Sequence, residues 1–396
     1  MEYIHRQIEA HIRAALNRKK SVLLLGPRQT GKTTLVMHQF RPDISYSFAR
    51  AEIRLRYESH PELLIQELED KFSTVKNTPL IFIDEVQKIP AIMDSIQYLI
   101  DNHVAQFILT GSSARKLKHS SNINLLPGRF VVLTMDALNF IELPQPKFSL
   151  EELLLYGSLP GILSQESDKM KEVDLNSYVS TYLEEEIRAE ALVRNIGAFS
   201  RFLELSASDA GLIVNFTKLS QEIGVADSTI AAYYQILEDC LIAQRIDPII
   251  KSISHRRLIK SPKYLFFDLG VKRVCANEGI KLSSRQLGSM FEQFVGIELL
   301  RFARLSERQI NLKYWRDAAG PEIDYVLDVE KTFIPVEVKW SASPGETDAK
   351  YLKKFLHEYA QAKVAYVICQ TPRRFKLLEN IIALPWQEMS EIFKSE

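Results

Sequence analysis

The residues with the clearest chemical purpose lie between Ser21 and Thr34, in the stretch SVLLLGPRQTGKTT. Val22 to Leu25 are four apolar residues and read as a buried strand. They run into Gly26, Pro27, Arg28, Gln29, Thr30, Gly31, Lys32, Thr33 and Thr34, which satisfy G-x-x-x-x-G-K-[ST] at every fixed position. A glycine turn between strand and helix aims several backbone N–H groups at one point, at the positive end of the helix that follows. That arrangement predicts a socket for a polyphosphate. Lys32 would supply a point charge to the β- and γ-phosphates of ATP, and the Thr33 hydroxyl would ligate Mg²⁺.

A second chemical group follows at Leu80-Ile81-Phe82-Ile83-Asp84-Glu85. An apolar strand ending in two adjacent carboxylates is the expected partner of such a loop. Asp84 would hold Mg²⁺ through water, and Glu85 would orient and polarise the attacking water. The next apolar strand, Gln106 to Leu109, ends in Thr110-Gly111-Ser112-Ser113. Ser112 is the candidate sensor of the γ-phosphate, with Thr110 as the alternative; a simple turn explains the pattern equally well. A further strand, Phe130 to Thr134, follows Gly128-Arg129. Arg129 would reach a neighbouring subunit's nucleotide as an arginine finger, or it is a solvated loop arginine; sequence leaves both open.

The elements that must position these groups are legible in outline. Ile4, Ile8, Ile12 and Leu16 recur every four residues, one stripe of an amphipathic helix that packs on the sheet or floors an adenine pocket. Ile44 to Phe48 reads as a short strand, and Pro61 opens a helix carrying Leu63, Leu64, Ile65 and Leu68. Alternating strands and helices argue for a parallel α/β sheet with the nucleotide at the carboxyl ends of its strands.

GPRQTGKTT, IFIDEVQ, ILTGSSA and LPGRF together resemble the AAA-type P-loop ATPases of bacteria and archaea that carry a C-terminal domain of unknown function. The resemblance continues through the whole chain. Glu151 to Leu163, with Tyr156-Gly157-Ser158-Leu159-Pro160-Gly161, resembles the glycine–proline segment that follows the ATPase core in that family.

Pro144 to Pro146 marks a boundary. Ser177 to Ala210 has helical periodicity, and its run Glu184-Glu185-Glu186 reads as a solvated face. Phe216 to Tyr234 then reads as a helix-turn-helix: a short helix to Ile223, a turn at Gly224, and a second helix capped by Asp227 or Ser228. Leu241 to Ile246 would begin a wing. The second helix, Asp227 to Cys240, has no Lys or Arg. A groove reader needs cationic phosphate contacts, so packing between domains is the favoured use of this winged helix. Any contact with a phosphate backbone falls to Lys251, His255, Arg256, Arg257, Lys260 and Lys263.

From Lys263 onward, Tyr264 to Phe267 reads as a strand and Leu282 to Phe302 as a helix. Ile323 to Val329 and Phe333 to Trp340 read as a hairpin turning at Glu330-Lys331, followed by a helix (Ala349 to Tyr359) and a strand (Val364 to Cys369). Period two puts Glu337 and Lys339 on one face. Glu292 on a helix, Asp324 on a strand and Glu337-x-Lys339 on the next resemble the core of restriction-endonuclease-like nucleases. The resemblance implies Mg²⁺ shared by Asp324 and Glu337 and a water oriented by Lys339, with Glu292 completing the metal shell or binding a second ion. A surface ion pair between Glu337 and Lys339 is the plain alternative.

Composition limits the remaining classes. Fifty basic and fifty acidic residues cancel, so contact with nucleic acid would need a local patch. Cys240, Cys275 and Cys369 are widely separated, which gives neither a disulfide framework nor a zinc site and points to a reducing compartment. No apolar run is long enough for a membrane span, and no signal-peptide pattern opens the sequence, so the expectation is a cytoplasmic protein. The expected architecture is α/β: a P-loop sheet at 1–145, a helical and winged-helix middle at 146–257, and a small nuclease-like α/β domain at 258–396. ATP and Mg²⁺ are the expected cofactors, DNA or RNA and further copies of the chain the expected partners. The expected function is ATP hydrolysis coupled to the nuclease-like domain; the alternative is a nucleotide-switched scaffold with that domain inert. A metabolic kinase is disfavoured, since nothing after Phe130 reads as a small-substrate acceptor site.

Overall fold

The computed structural model describes residues 3–74, 77–113, 128–143, 148–183, 195–250, 258–318 and 320–394. Leu126, Pro127, the Pro144–Pro146 break, the Glu184–Glu186 run and the basic residues Lys251, His255, Arg256 and Arg257 lie outside them.

The first unit runs α1 (Glu9–Asn17), β1 (Ser21–Leu25), α2 (Lys32–Gln39), β2 (Ile44–Ser47), α3 (Ala51–Ser59), α4 (Leu63–Phe72), β3 (Leu80–Asp84), α5 (Ile92–Asp101), β4 (Gln106–Gly111) and β5 (Phe130–Thr134). Its five strands are ordered β2-β3-β4-β1-β5 and every pair is parallel. All five residues of β1 are buried, as a central strand covered on both faces requires. Ile8, Ile12 and Ala15 pack against one face with Val22, Leu24, Leu35 and Val36, while Ile92, Met93, Ile96 and Leu99 of α5 help to cover the other. Parallel strands put all their carboxyl ends at one edge of the sheet, so the residues after β1, β3 and β4 meet there by topology alone.

The second unit is helical: α6 (Leu150–Tyr156), α7 (Pro160–Leu163), α8 (Asp168–Ser177), a π-helical turn (Tyr178–Leu183), α9 (Ile196–Ser208), α10 (Phe216–Ile223) and α11 (Asp227–Asp239). A hairpin of β6 (Ala243–Pro248) and β7 (Lys263–Phe266) follows, then α12 (Leu269–Cys275). The turn between α10 and α11 contains Gly224 at φ 78°. The cap of α11 is Ala226, one residue ahead of Asp227 and two ahead of Ser228, the two expected caps, and it makes no side-chain bond. The Asp227 carboxylate instead accepts from the Thr217 hydroxyl at 2.9 Å, which ties α11 to α10 across the turn.

The third unit has α13 (Ser284–Leu305), β8 (Ile310–Arg316), β9 (Glu322–Val329), β10 (Thr332–Val338), α14 (Lys350–Glu358), β11 (Ala365–Cys369), β12 (Phe375–Leu378), β13 (Ile381–Pro385) and a final 3₁₀ segment (Trp386–Phe393). Strands β8, β9 and β10 form an antiparallel meander, and β11 joins β10 in parallel. Glu330 and Lys331 both have positive φ, which closes β9 onto β10 with a tight turn. The middle hairpin also adds to this sheet: β6 pairs in parallel with β8, giving the order β12-β13-β11-β10-β9-β8-β6-β7. One sheet therefore runs through two of the three units.

Candidate nucleotide site and acidic cluster

Gly26 leaves β1 with its N–H donating to Gly111 O at 3.1 Å. Gly31, at φ 94°, turns the chain into α2. A β-carbon on Gly26 would stand 2.2 Å from Met135 O, so only glycine lets β5 lie this close to the loop. Within the loop the Thr30 hydroxyl donates to Pro27 O at 3.0 Å. The Lys32 ammonium is buried and donates to Gly26 O at 2.7 Å and Pro27 O at 2.8 Å. Gln29 takes a positive φ of 62°, and Arg28 O accepts from the Tyr178 hydroxyl of the helical unit.

Two polar groups stand beside the loop at the same edge of the sheet. Asp84 Oδ1 accepts from Thr33 Oγ1 at 3.2 Å and from Thr110 Oγ1 at 2.6 Å. Glu85 is held in the left-handed region at φ 59°, which swings its side chain away from the strand. Its Oε2 accepts from Gln87 Nε2 at 2.7 Å and from Ser112 Oγ at 3.2 Å. The two sensor candidates thus divide: Thr110 meets Asp84, and Ser112 meets Glu85. Gln87 was not singled out from the sequence. It is buried, bonds both Glu85 and Ser112, and its Oε1 has no hydrogen-bond partner.

A cavity of about 490 Å³ opens next to the loop, lined in part by Tyr3, Ile4, Gly31, His38, Met135 and Leu138. Tyr3 stacks on His38 with ring centroids 4.1 Å apart. The isoleucine stripe is divided: Ile4 lines this cavity, while Ile8 and Ile12 belong to the core. Arg129 is elsewhere. It precedes β5 at the amino end of the sheet, where both of its bonds, at 2.6 and 2.8 Å, go to the Asp101 carboxylate. Five strand residues separate that end from the loop, roughly 16 Å at 3.3 Å per residue. Arg129 is therefore out of reach of its own chain's phosphate loop.

The C-terminal residues singled out from the sequence do gather. Val338 N–H donates to Asp324 Oδ2 at 2.8 Å, which pins the acid of β9 to the neighbouring β10. Lys339 Nζ donates to Glu337 Oε1 at 2.7 Å, while Glu337 Oε2 is buried without a partner. Burial, with Asp324 adding to it, pushes both Glu292 and Glu337 up to about 8. Burial also raises Asp324, although Lys263 pulls the other way. Lys263 departs from its expected place among exposed basic residues. It is 3% exposed, with Nζ 2.7 Å from Glu322 Oε1 and 3.9 Å from Glu292 Oε1. Among the described residues no three His, Cys, Asp or Glu side chains converge closely enough to hold a metal ion. The shared shell expected of Glu292, Asp324 and Glu337 is not closed, because each acid is turned to a different neighbour.

Three family models match separate segments of the chain. Residues 18–143 match the family described as an AAA domain, 147–281 a domain of unknown function (DUF8612), and 287–389 another (DUF4143). Uncharacterized proteins of Mycobacterium bovis and Mycobacterium tuberculosis are each 25% identical over 387 residues, covering 96% of this chain and 83% of theirs. Among solved structures, a signal-transduction ATPase of Pyrococcus horikoshii with a tetratricopeptide repeat sensor aligns at 14% identity and TM-score 0.27, covering 77% of this chain and 47% of its own. Cdc6p of Pyrobaculum aerophilum aligns at 12% identity and TM-score 0.27, covering 62% and 89%. No helix among the described residues is long and apolar enough to cross a membrane. The chain carries an AAA domain at its N-terminal end and a DUF4143 domain at its C-terminal end.

Proposed function

We propose that the chain binds ATP with Mg²⁺ and hydrolyses it at the carboxyl edge of the five-stranded sheet. The observation that carries this is the pairing of Thr33 with Asp84 and of Glu85 with Ser112, side by side at the end of the glycine loop. The loop N–H groups and Lys32 would hold the phosphates. Thr33 and Asp84 have the oxygen donors to hold Mg²⁺, which would supply neutralisation of the charge developing on the phosphates. Glu85, held by Gln87 and Ser112, would orient the attacking water. The cavity beside His38 would take the base. Lys32→Ala should weaken ATP binding, and Glu85→Gln should bind ATP with near-normal affinity but lose turnover at least about a hundredfold. Labelled-ATP binding and single-turnover rates measure both; full turnover by Glu85→Gln would sink the assignment of the base.

The remaining units are read with it. The helical unit with its two-stranded hairpin supports a winged helix used for packing. On α11 the outward positions Asp227, Ser228, Ala231, Ala232 and Gln235 carry no cation for a phosphate backbone. The helix–meander–helix–strand order of the third unit supports reading it as a restriction-endonuclease-like core, and Lys339 beside Glu337 supports the chemistry that reading needs. The reading is an ATPase whose nucleotide state acts on a nuclease-like site for nucleic acid. A second reading, a nucleotide-switched scaffold, is favoured by the acids' engagement with protein partners instead of one another. Divalent-dependent nicking of plasmid separates the two.

A further inference from the structure

The unclosed acidic cluster has a specific cause. Glu292 and Glu322 face Lys263, and Lys263 does not come from the meander that carries the acids. It opens β7, whose strand partner is β6 of the middle hairpin. That hairpin is fastened to the helical unit: Gly211 N–H donates to Tyr264 O at 2.8 Å, and Val214 N–H to Pro262 O at 2.9 Å. The Tyr264 ring stacks on Tyr234 of α11 at 4.1 Å, and its hydroxyl donates to Glu238 at 3.0 Å. Lys263 thus belongs mechanically to the middle unit while its charge is spent in the third. Its Nζ lies 5.0 Å from the centre of the Tyr314 ring.

The charges around it are few and can be named. Arg316 holds the other oxygen of Glu322 at 2.6 Å, and Lys339 holds Glu337. Glu292 is left with Lys263 at 3.9 Å, Asp324 accepts from a backbone N–H, and Glu337 retains a buried oxygen with no partner. Four carboxylates therefore share three cations, and a buried acceptor points to a ligand that the protein itself does not supply. A divalent ion and a buried ammonium in one carboxylate cluster repel each other, so the two compete for it.

We propose that Lys263 is an internal cation that fills the acidic cluster in place of a divalent ion, so that a residue of the middle unit keeps the C-terminal site closed to metal. The inference rests on the reading of Glu292, Asp324 and Glu337 as a cation-holding group. Its test is Mn²⁺ binding to the full chain without nucleotide, followed by electron paramagnetic resonance, with Asp324→Asn as the blank for all other sites. Wild-type protein should take up Mn²⁺ weakly above that blank, and Lys263→Met at least about tenfold more tightly. Lys263→Arg, which keeps the cation, should remain weak, as should Lys260→Met at an exposed neighbour. If Lys263→Met melts early, Mn²⁺ should restore its melting temperature where an equal charge of Na⁺ does not; a loss that Mn²⁺ leaves unrepaired overturns the proposal. Equal Mn²⁺ affinity in wild type and Lys263→Met overturns it while leaving the acids a metal site. Uptake no greater than the blank in every variant overturns both it and the metal reading.

Discussion

Glu85 and Glu337 are both strand-end carboxylates with different hydrogen-bond surroundings. Glu85 accepts two hydrogen bonds on one oxygen beside the phosphate loop. Glu337 has one oxygen on Lys339 and the other buried and unpaired. Burial raises Glu337 to about 8, above the 4.5 of an exposed glutamate. Between those two values the folded chain keeps a proton that the unfolded chain has lost. Stability therefore falls as pH rises through that window. In the presence of a chelator, melting from pH 5 to pH 8.5 should show the C-terminal unit losing on the order of 2 kcal/mol, and Glu337→Gln should make the curve shallower, Glu292 keeping part of the slope. A wild-type protein more stable at the alkaline end would contradict this. The places of Lys32 after β1 and of Asp84 and Glu85 at the end of β3 were legible in sequence, because each closes an apolar strand with a local pattern. Gln87 and Lys263 were not. Gln87 reaches the site only because Glu85 takes a left-handed φ, and Lys263 only because β6 joins β8; neither event has a local signature.

At the level of elements, turn positions follow from residue type. Gly224, Glu330-Lys331 and the strand after the phosphate loop stand where residue type put them, since turn chemistry is local. Strand β8 was not assigned: INLKYWR mixes Asn, Lys and Arg into its apolar alternation, yet Leu312 and Tyr314 pack into one core and Trp315 into another. The segment around Gly157 shows how much an element boundary can depend on one residue. Gly157 ends α6 at φ 71°, and a β-carbon there would stand 2.0 Å from the buried Asp268 carboxylate. Asp268 cannot retreat, since it accepts from Ser158 N–H at 2.7 Å and from Val271 N–H at 3.1 Å, capping α12. Gly224 has a similar φ of 78° but open space around it. Gly224→Ala should then cost about 1 kcal/mol for the left-handed backbone alone, whereas Gly157→Ala should cost about 3 kcal/mol or more by displacing Asp268 as well. Denaturant midpoints of the two variants give the comparison; equal losses would show that the Asp268 contact is slack.

For the molecule as a whole, two arginine positions carry the argument beyond a single domain. Arg129 faces away from its own loop and holds Asp101 in an exposed two-point pair that solvent screens. If it serves a neighbouring copy, Arg129→Ala should lose most ATPase activity, and mixing it with Lys32→Ala protein should restore part. A wild-type rate from Arg129→Ala alone would remove the finger. The other position is the far end of α13. That helix has 22 residues, and about 18 Å of it separates Glu292 from Arg304. Arg301 donates to Leu138 O at 2.8 Å, Ser158 Oγ at 3.0 Å and Phe267 O at 3.0 Å, and Glu298 accepts from Phe140 N–H at 3.1 Å. Arg304 pairs with Asp136. The same segment is tied to the phosphate loop by Arg6, which donates to Asp136 O at 2.7 Å and to Thr30 O at 2.8 Å. A shift of Thr30 on nucleotide binding thus has a continuous polar route, through Arg6 and residues 136–140, to a rigid helix whose other half carries Glu292. Arg301 is unsuited to testing this, because removing it strands the buried Glu298 at a cost of about 3–5 kcal/mol. Arg304 is 29% exposed and can be removed without leaving a charge sealed in the core. A non-hydrolysable ATP analogue should change the amide exchange of α13 in the wild type, and Arg304→Ala should keep analogue binding while losing most of that change. An undiminished response in Arg304→Ala would show that the nucleotide signal, if it crosses at all, takes another path.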